Sequence, residues 1–326
     1  MRLLFILSLP RSGSTFLART LVTHPAITSA SHAEPHLFVS AFGPLSGLKA
    51  VSAYGAEITN RSALAYLEDT PSGHVGYKTA LAEQIANVYR RSAESPSADW
   101  FIDKTTRNTL ISRDLAVSLP DAHFLVLWRN PLDVLASVYS TWCDDRWTWN
   151  ANAVELFSGL EGLHDFASKS DPDRILTLRY EDLVGAPQQT LDRVSGFLGL
   201  ELDGPWDAQR DLSDVRFEGV HDPRARDAVN QKSHKRSLDK WRSTITTRRR
   251  RRMARQYLDW IGPSRLSDMG YDHAALTAQL NAITPPFLPS LAEDLRMCLL
   301  SLKRLLGVTA WHLSNERQDF GRNALR

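Results

Sequence analysis

The chain has 326 residues, of which 43% are hydrophobic, and its 39 basic and 37 acidic side chains give a formal net charge of +2. This is enough chain to bury a full hydrophobic core as one large domain with appended segments. Two cysteines are too few for a disulfide framework or a metal cluster, and no apolar run is long enough for a membrane span. The apolar run at 3–7 is too short for a signal peptide, so we expect a cytoplasmic protein without a metal site.

The first sixteen residues predict a strand, a turn and the start of a helix. Leu3–Leu7 is typical of a short buried strand, Pro10–Thr15 is a turn rich in glycine and serine, and a helical pattern begins at Phe16. The N–H groups at a helix start have no intrahelical acceptors, so this turn can bind a phosphate or sulfate oxygen. Gly13 allows close approach of the backbone, and Arg11 supplies a forked positive charge. The alternative is an ordinary turn with a surface arginine.

This turn differs from the phosphate-binding loop of ATPases at two positions. When G-x-x-x-x-G-K-[ST] is laid over 8–15, Ser8 replaces the first glycine and Ser14 replaces the lysine. ATP-dependent enzymes of that type need the lysine and a metal ion at the phosphates. Here the cation has moved to Arg11. A transferring sulfuryl group carries less negative charge than a phosphoryl group and depends less on a metal.

A second candidate anion site follows the predicted strand His123–Trp128. Arg129 comes directly after this strand, and Asn130 with the proline that follows it suits the N-cap and first position of a helix running to about Trp142. Ser137 lies two turns into that helix. By itself, the pattern also fits a capped crossover helix with one exposed arginine.

The two motifs together resemble a known family. The sequence PRSGSTFL at 10–17 resembles the 5′-phosphosulfate loop of sulfotransferases that use 3′-phosphoadenosine 5′-phosphosulfate (PAPS), in the arginine-type form of the bacterial and tyrosylprotein enzymes. The cytosolic animal branch has lysine where this chain has Arg11. An arginine followed eight residues later by serine resembles the family's 3′-phosphate signature. The resemblance implies PAPS as cofactor and 3′,5′-ADP as product, with Arg11, Ser12, Gly13, Ser14, Thr15 and Phe16 at the 5′-phosphosulfate and with Arg129 and Ser137 at the 3′-phosphate.

A third family pattern lies between these motifs, after the predicted strand end Trp100–Asp103. The family sequence is Asp-Lys-Thr-Pro-Arg, and this chain has Thr106 in place of the proline. The resemblance implies that Lys104 faces the oxygen that bridges sulfate and phosphate, where it would neutralise charge on the leaving group. A solvated lysine next to Asp103 is the alternative.

The general base should lie near the first loop, because it takes the proton of the acceptor hydroxyl. The segment His32–His36 contains three candidates. Glu34 aligns with the base of the related bacterial and tyrosylprotein enzymes, whereas His32 and His36 could assist it, contact the acceptor or be surface residues. The segment Gly76–Ala80 resembles the strand end that precedes the catalytic histidine of the cytosolic branch, but it contains no histidine, which also favours Glu34.

Two later segments complete the resemblance. Ile175–Leu183 predicts a strand that ends in the family marker RYEDL, which implies that Tyr180 lies near the nucleotide; a core or capping aromatic is the alternative. Pro187–Leu200 predicts an amphipathic helix. Ser237–Arg242 resembles the segment that folds over the nucleotide. It implies that Lys240 contacts a phosphate and that Trp241 packs on the domain, and it places Lys240, Trp241 and Arg242 in the cofactor-binding set.

The alternation of strands and helices as far as about Leu200 predicts a parallel sheet with helices on both faces. With the resemblance, this gives an α/β, P-loop-NTPase-like fold over residues 1–271 and a C-terminal helical extension over 272–326. Leu291–Leu306 predicts an amphipathic helix that packs on the core, pairs with a second subunit or lies on a membrane surface. The run Arg248–Arg252 is either a solvated helix face or a patch that attracts the cofactor or an anionic acceptor. We expect no nucleic-acid partner.

We therefore expect a PAPS-dependent sulfotransferase that moves a sulfuryl group in line to a hydroxyl of a small molecule, glycan or lipid. The acceptor segments would be Phe38–Ile58 and Trp142–Asn152, and the second contains three tryptophans suited to stacking on a sugar or flat ring. A metal-dependent kinase of the same fold and a non-catalytic module that binds anions or a membrane surface are the alternatives. The sequence leaves the acceptor and the oligomeric state open.

Overall fold

A computed structural model of the protein describes residues 1–29, 34–42, 64–143, 146–149, 152–200 and 237–299. His32, the acceptor residues 43–58 and residues 300–326 lie outside the described residues. The strands are β1 (Arg2–Ser8), β2 (Ile27–Thr28), β3 (Trp100–Asp103), β4 (His123–Trp128) and β5 (Ile175–Arg179). The helices are α1 (Ser14–Leu21), α2 (Leu37–Phe42), α3 (Gly73–Ser92), α4 (Ser112–Ser118), α5 (Pro131–Trp142), α6 (Gly159–Lys169), α7 (Tyr180–Gly185), α8 (Pro187–Leu198), α9 (Trp241–Thr244), α10 (Arg248–Asp268) and α11 (His273–Asn281), with further helical turns at 64–68 and 287–299.

The five strands form one parallel sheet in the order β2-β3-β1-β4-β5. Side chains of β1 alternate between two hydrophobic clusters, because successive residues of a strand point to opposite faces. Leu3, Phe5 and Leu7 belong to one cluster, and Leu4 and Ile6 to the other. Both faces of the sheet are therefore covered, and the predicted α/β fold is confirmed.

The pairing of β1 with β4 positions the site. Ser8 at the end of β1 lies opposite Leu127 in β4, so both strands finish at the same edge of the sheet. The chain leaves β1 towards β2 and β3 on one side and returns to β4 on the other. Ligands of open parallel sheets bind at such a switch point, beyond the carboxyl ends of the strands. Arg11 and Arg129 follow these two strands.

Most of the predicted elements are confirmed, and two predictions are wrong. Helix α5 begins as expected, because the Asn130 side chain accepts a hydrogen bond from Leu132 N–H and Pro131 occupies the first turn. Helix α1, however, begins at Ser14 rather than Phe16, since its first two residues are polar and carry no apolar periodicity. The segment 76–80 lies within α3 and is not a strand end, so its comparison with the cytosolic branch no longer bears on the base.

The arginine run 248–252 begins helix α10 and is bound largely within the chain. The guanidinium groups of Arg249 and Arg251 donate to the carbonyl oxygens of Trp147 and Ile283, and Arg250 pairs with Glu293 at 2.8 Å. The run thus joins α10 to the tryptophan segment and to the helical residues 287–299. It is not simply a solvated face.

The C-terminal helices contribute to the same core and also expose apolar surface. Leu276 and Leu280 of α11 belong to the larger hydrophobic cluster. The predicted amphipathic helix is present over the described residues 287–299, where Leu291, Leu295 and Leu299 are largely exposed. None of the helices that the structure describes has the length and hydropathy of a transmembrane span.

Candidate active site

The turn between β1 and α1 has the geometry of an anion-binding loop. Gly13 is the N-cap of α1 with a φ of 93°, and the first intrahelical bond runs from Leu17 N–H to its carbonyl oxygen. The N–H groups of Ser14 and Thr15 precede that bond, so they have no intrahelical acceptor. Ser12 and Ser14 are buried in the turn. Backbone donors and the positive end of the helix dipole therefore meet at one place.

The ring of Tyr180 packs directly on Gly13. A Cβ added at Gly13 would overlap Tyr180 Cδ2 and Cε2, and the positive φ also disfavours any side chain. Tyr180 is almost fully buried among the residues of the second hydrophobic cluster. Tyr180, which follows β5, therefore belongs to the core and at the same time contacts the anion-binding loop.

We expect Gly13→Ala to lower the free energy of unfolding by about 2 kcal/mol or more, from backbone strain and from the overlap with Tyr180. Gly199→Ala is a matched control, since Gly199 also has a positive φ (66°) but has no neighbour within 4 Å of an added Cβ. Gly199→Ala should lower the free energy of unfolding by only about 1 kcal/mol. Urea unfolding of both variants measures the difference, and equal losses would show that Tyr180 does not constrain the loop.

The two arginine motifs are in direct contact. Arg11 Nε donates to Ser137 Oγ at 3.2 Å, and Arg129 Nη1 donates to the carbonyl oxygen of Arg11 at 2.9 Å. Arg11 itself has a φ of 66°, which is rare for a side-chain-bearing residue. Two positive charges and a hydroxyl are thus gathered at the switch point of the sheet.

Arg129 is buried and held on two sides. Its Nη2 donates to the carbonyl oxygen of Ser237 at 2.9 Å, and its guanidinium lies 4.4 Å from the centre of the Tyr180 ring. Tyr180 Oη and Ser237 Oγ share a hydrogen bond of 2.8 Å. Arg129 Nε is buried and has no acceptor among the described residues. A buried donor without a partner is unfavourable, so this group fits a phosphate oxygen supplied by a ligand.

Glu34 and Lys104 form a tight ion pair beyond the end of β3. Lys104 Nζ lies 2.6 Å from Glu34 Oε1, with side-chain exposures of 4% and 19%, and His36 Nε2 lies 3.5 Å from Glu34 Oε2. Burial alone would raise the pKa of Glu34, but the hydrogen bond from His36 and the charge of Lys104 outweigh it and lower this pKa to about 2. Glu34 is therefore ionised and close to two groups that can modulate its basicity.

Asp103 orients this pair without binding Lys104. Its carboxylate accepts hydrogen bonds from Tyr89 Oη at 2.6 Å and from Thr105 N–H at 2.8 Å. Thr105 Oγ1 in turn accepts from His36 N–H at 3.3 Å. The partner of Lys104 is thus Glu34, and the alternative of a solvated lysine beside Asp103 is wrong, since the Lys104 side chain is buried.

A model of the Sulfotransferase family matches residues 4–204 of the chain. The chain belongs to the sulfotransferase family. The match spans both arginine motifs, Glu34 and Lys104, and it confirms the family that the motifs predicted.

Two kinds of relative accompany the family match. Nodulation protein NoeE of Sinorhizobium fredii (strain NBRC 101917 / NGR234) is 26% identical over 292 residues, which are 83% of this chain and 66% of that protein. The sulfotransferase domain of the Synechococcus PCC 7002 olefin synthase is 24% identical, with a TM-score of 0.48 over 74% of this chain and 88% of that domain. The sulfotransferase from Alicyclobacillus acidocaldarius is 15% identical, with a TM-score of 0.48 over 84% of this chain and 98% of that one.

The three site residues predicted in the segment 237–242 of this sulfotransferase have different environments. Trp241 is fully buried in the larger hydrophobic cluster, which agrees with packing on the domain but not with a direct cofactor contact, since none of its side chain is exposed. Lys240 is exposed, and Arg242 stacks on the Trp241 ring at 4.7 Å and donates to Gln279. Neither Ser237 nor Asp133, whose carboxylate binds this segment, was predicted as a site residue. Asp133 could have been found from the sequence, because it lies one helical turn after Arg129.

The three tryptophans of the second acceptor segment have different environments. Trp147 is fully buried and stacks on Tyr139 with ring centres 4.6 Å apart, and Trp149 packs among Tyr139, Phe157 and other aromatic rings. Trp142 is 38% exposed, and the Arg11 guanidinium lies 5.9 Å from its ring centre. Of these three tryptophans, Trp142 is the most exposed and the one that lies beside the anion loop.

Proposed function

We propose that the protein transfers the sulfuryl group of PAPS to a hydroxyl group of a small-molecule, glycan or lipid acceptor. The observation that carries the proposal is the joining of the two arginine motifs at the switch point, through Arg11 with Ser137 and Arg129 with the Arg11 carbonyl. PAPS carries a phosphosulfate at its 5′ position and a phosphate at its 3′ position, and Arg11 and Arg129 provide one positive charge for each. A metal ion is not needed to supply these positive charges.

The residues present fit this nucleotide. Arg129, with its buried and unpartnered Nε, would hold the 3′-phosphate together with Ser137. The loop would hold the 5′-phosphosulfate through its backbone donors and Arg11. We propose that Tyr180, Lys240 and Arg242 make the remaining cofactor contacts, and that Trp241, which is fully buried in the larger hydrophobic cluster, anchors their segment from the core. When bound, PAPS supplies an activated sulfuryl group whose leaving group is a phosphate.

Glu34 is the proposed general base. Its carboxylate would accept the proton of the acceptor hydroxyl while the hydroxyl oxygen attacks sulfur. With Lys104 at 2.6 Å the carboxylate is a weak base, because its pKa is only about 2. We propose that Lys104 turns to the leaving phosphate oxygen, where it neutralises developing charge, and thereby leaves Glu34 more basic. One lysine would then link the state of the base to the presence of cofactor.

The first test compares 3′,5′-ADP with 5′-ADP, each with and without Mg²⁺, by thermal shift. We expect the larger shift with 3′,5′-ADP, independent of Mg²⁺. Arg129→Ala should weaken 3′,5′-ADP binding about 10- to 100-fold, the loss of charge-assisted hydrogen bonds, and leave 5′-ADP binding nearly unchanged. Calorimetric titration measures both affinities.

Two outcomes would contradict the proposal. A shift with 5′-ADP that requires Mg²⁺, and none with 3′,5′-ADP, would favour the metal-dependent kinase. Unchanged 3′,5′-ADP affinity in Arg129→Ala would show that the second motif does not bind the 3′-phosphate. Arg193→Ala is a suitable control, since Arg193 is an exposed arginine of α8 that donates to the Thr177 carbonyl away from both motifs.

A further inference from the structure

Asp133 lies in the first turn of α5, three positions after the N-cap Asn130, and is buried. An acidic residue at this position commonly accepts the N–H of the N-cap residue. Here Glu181 Oε1 accepts that N–H at 2.9 Å instead. The Asp133 carboxylate is therefore available to a distant part of the chain.

Both oxygens of Asp133 bind the C-terminal segment 237–241. Oδ2 accepts from Asp239 N–H and Oδ1 from Trp241 N–H, each at 3.1 Å. These two donors bracket Lys240. Burial raises the pKa of Asp133 to about 6, although the nearby Arg129 and the two N–H groups favour the ionised form.

The same segment is fixed at its other end by the proposed cofactor site. The Ser237 carbonyl accepts from Arg129, and the Ser237 hydroxyl bonds to Tyr180. Between these anchors Asp239 has a φ of 55°, a strained conformation for a residue with a side chain. Such a conformation persists only where the surrounding contacts hold it.

We propose that Asp133 is a positioning residue for the nucleotide. It fastens segment 237–241 against Arg129, so that the guanidinium is held with its Nε towards the 3′-phosphate and Lys240 is kept at the rim of the site. This inference rests on the proposed function and adds to it a residue that touches neither phosphate nor acceptor. An apolar or amide side chain at 133 cannot satisfy both N–H donors, because two acceptor oxygens are required.

Asp133→Asn tests the inference by calorimetric titration with 3′,5′-ADP and with 5′-ADP. We expect binding of 3′,5′-ADP to weaken about tenfold or more and binding of 5′-ADP to change by less than about twofold. A merely structural role would weaken both ligands alike, which would overturn the inference. Asp192→Asn, at an exposed position on α8, is the control and should bind both ligands as the wild type does.

A second pair of variants serves if Asp133→Asn does not fold. Asp239 is exposed, so Asp239→Pro removes one donor and the positive φ without removing a core side chain, whereas Asp239→Gly keeps both. We expect the proline variant to reproduce the selective loss of 3′,5′-ADP binding and the glycine variant to bind normally. Normal binding by the proline variant would overturn this inference alone. A wild-type protein that does not bind 3′,5′-ADP would overturn the proposed function and this inference with it.

Discussion

Glu34→Gln should reduce turnover about 10²- to 10⁴-fold, the usual contribution of a general base, and leave 3′,5′-ADP affinity close to that of the wild type. The glutamine keeps the shape of the side chain and can still accept a hydrogen bond from Lys104 Nζ, which lies 2.6 Å from Glu34 Oε1. It cannot take a proton from an acceptor hydroxyl. The measurement is the rate of sulfation from PAPS of whichever hydroxyl compound the wild type accepts in a screen of sugars, lipids and phenols.

His36→Gln is the matched control for this variant. His36 lies 3.5 Å from the Glu34 carboxylate and contributes to its low pKa, so its loss should alter turnover by about tenfold or less. If His36→Gln lost more activity than Glu34→Gln, the histidine would be the base. Near-full turnover in Glu34→Gln would refute the assignment of the base outright.

Arg11→Ala should lower turnover about 10²- to 10³-fold, because in the proposed mechanism the guanidinium stabilises the charge that develops on the leaving phosphate. Arg11→Lys retains a positive charge but loses the forked donor that binds Ser137 Oγ at 3.2 Å, so an intermediate rate is expected. The backbone carbonyl of residue 11, which anchors Arg129, is unchanged in both variants. The loss should therefore appear in the rate of sulfation more than in 3′,5′-ADP affinity.

A sulfation rate that falls from the wild type to Arg11→Lys and falls further in Arg11→Ala would show that Arg11 acts through its charge at the reacting group and not through packing alone. Equal rates in the lysine and alanine variants would indicate that the contact with Ser137 matters more than the charge. An alanine variant as active as the wild type would show that the loop does not hold the transferring group.

Elements defined by local patterns were predicted well from the sequence. The apolar strands β1 and β4 each fill a buried position between two strands, so their composition alone identifies them. Asn130 and the proline after it determine the start of α5 through contacts within four residues. The error at 76–80 has the opposite cause, since a lysine–threonine pair occurs in helices and at strand ends alike, and only the surrounding fold separates them.

Contacts between distant segments could not be predicted in the same way. The two N–H groups that donate hydrogen bonds to Asp133 belong to residues more than a hundred positions away, and no periodicity in the sequence indicates such a pairing. The burial of Trp147 beside the exposure of Trp142 depends on the arginines of α10, which donate to the Trp147 carbonyl and stack on its ring. The residues of the candidate site were predicted individually, but the ion pair of Lys104 with Glu34 required the structure.

The two hydrogen bonds of Arg129 show that the part of the chain that folds together extends beyond the family match. One guanidinium binds the carbonyl of Arg11, within the family match at 4–204, and the carbonyl of Ser237, beyond it. Without the later segment, this buried cation would lose an acceptor, and the core would lose Trp241 and Tyr257, which are both fully buried. The stretch that the family model matches is thus shorter than the part of the chain that shares one buried core, and we expect the sheet and the C-terminal helices to unfold together.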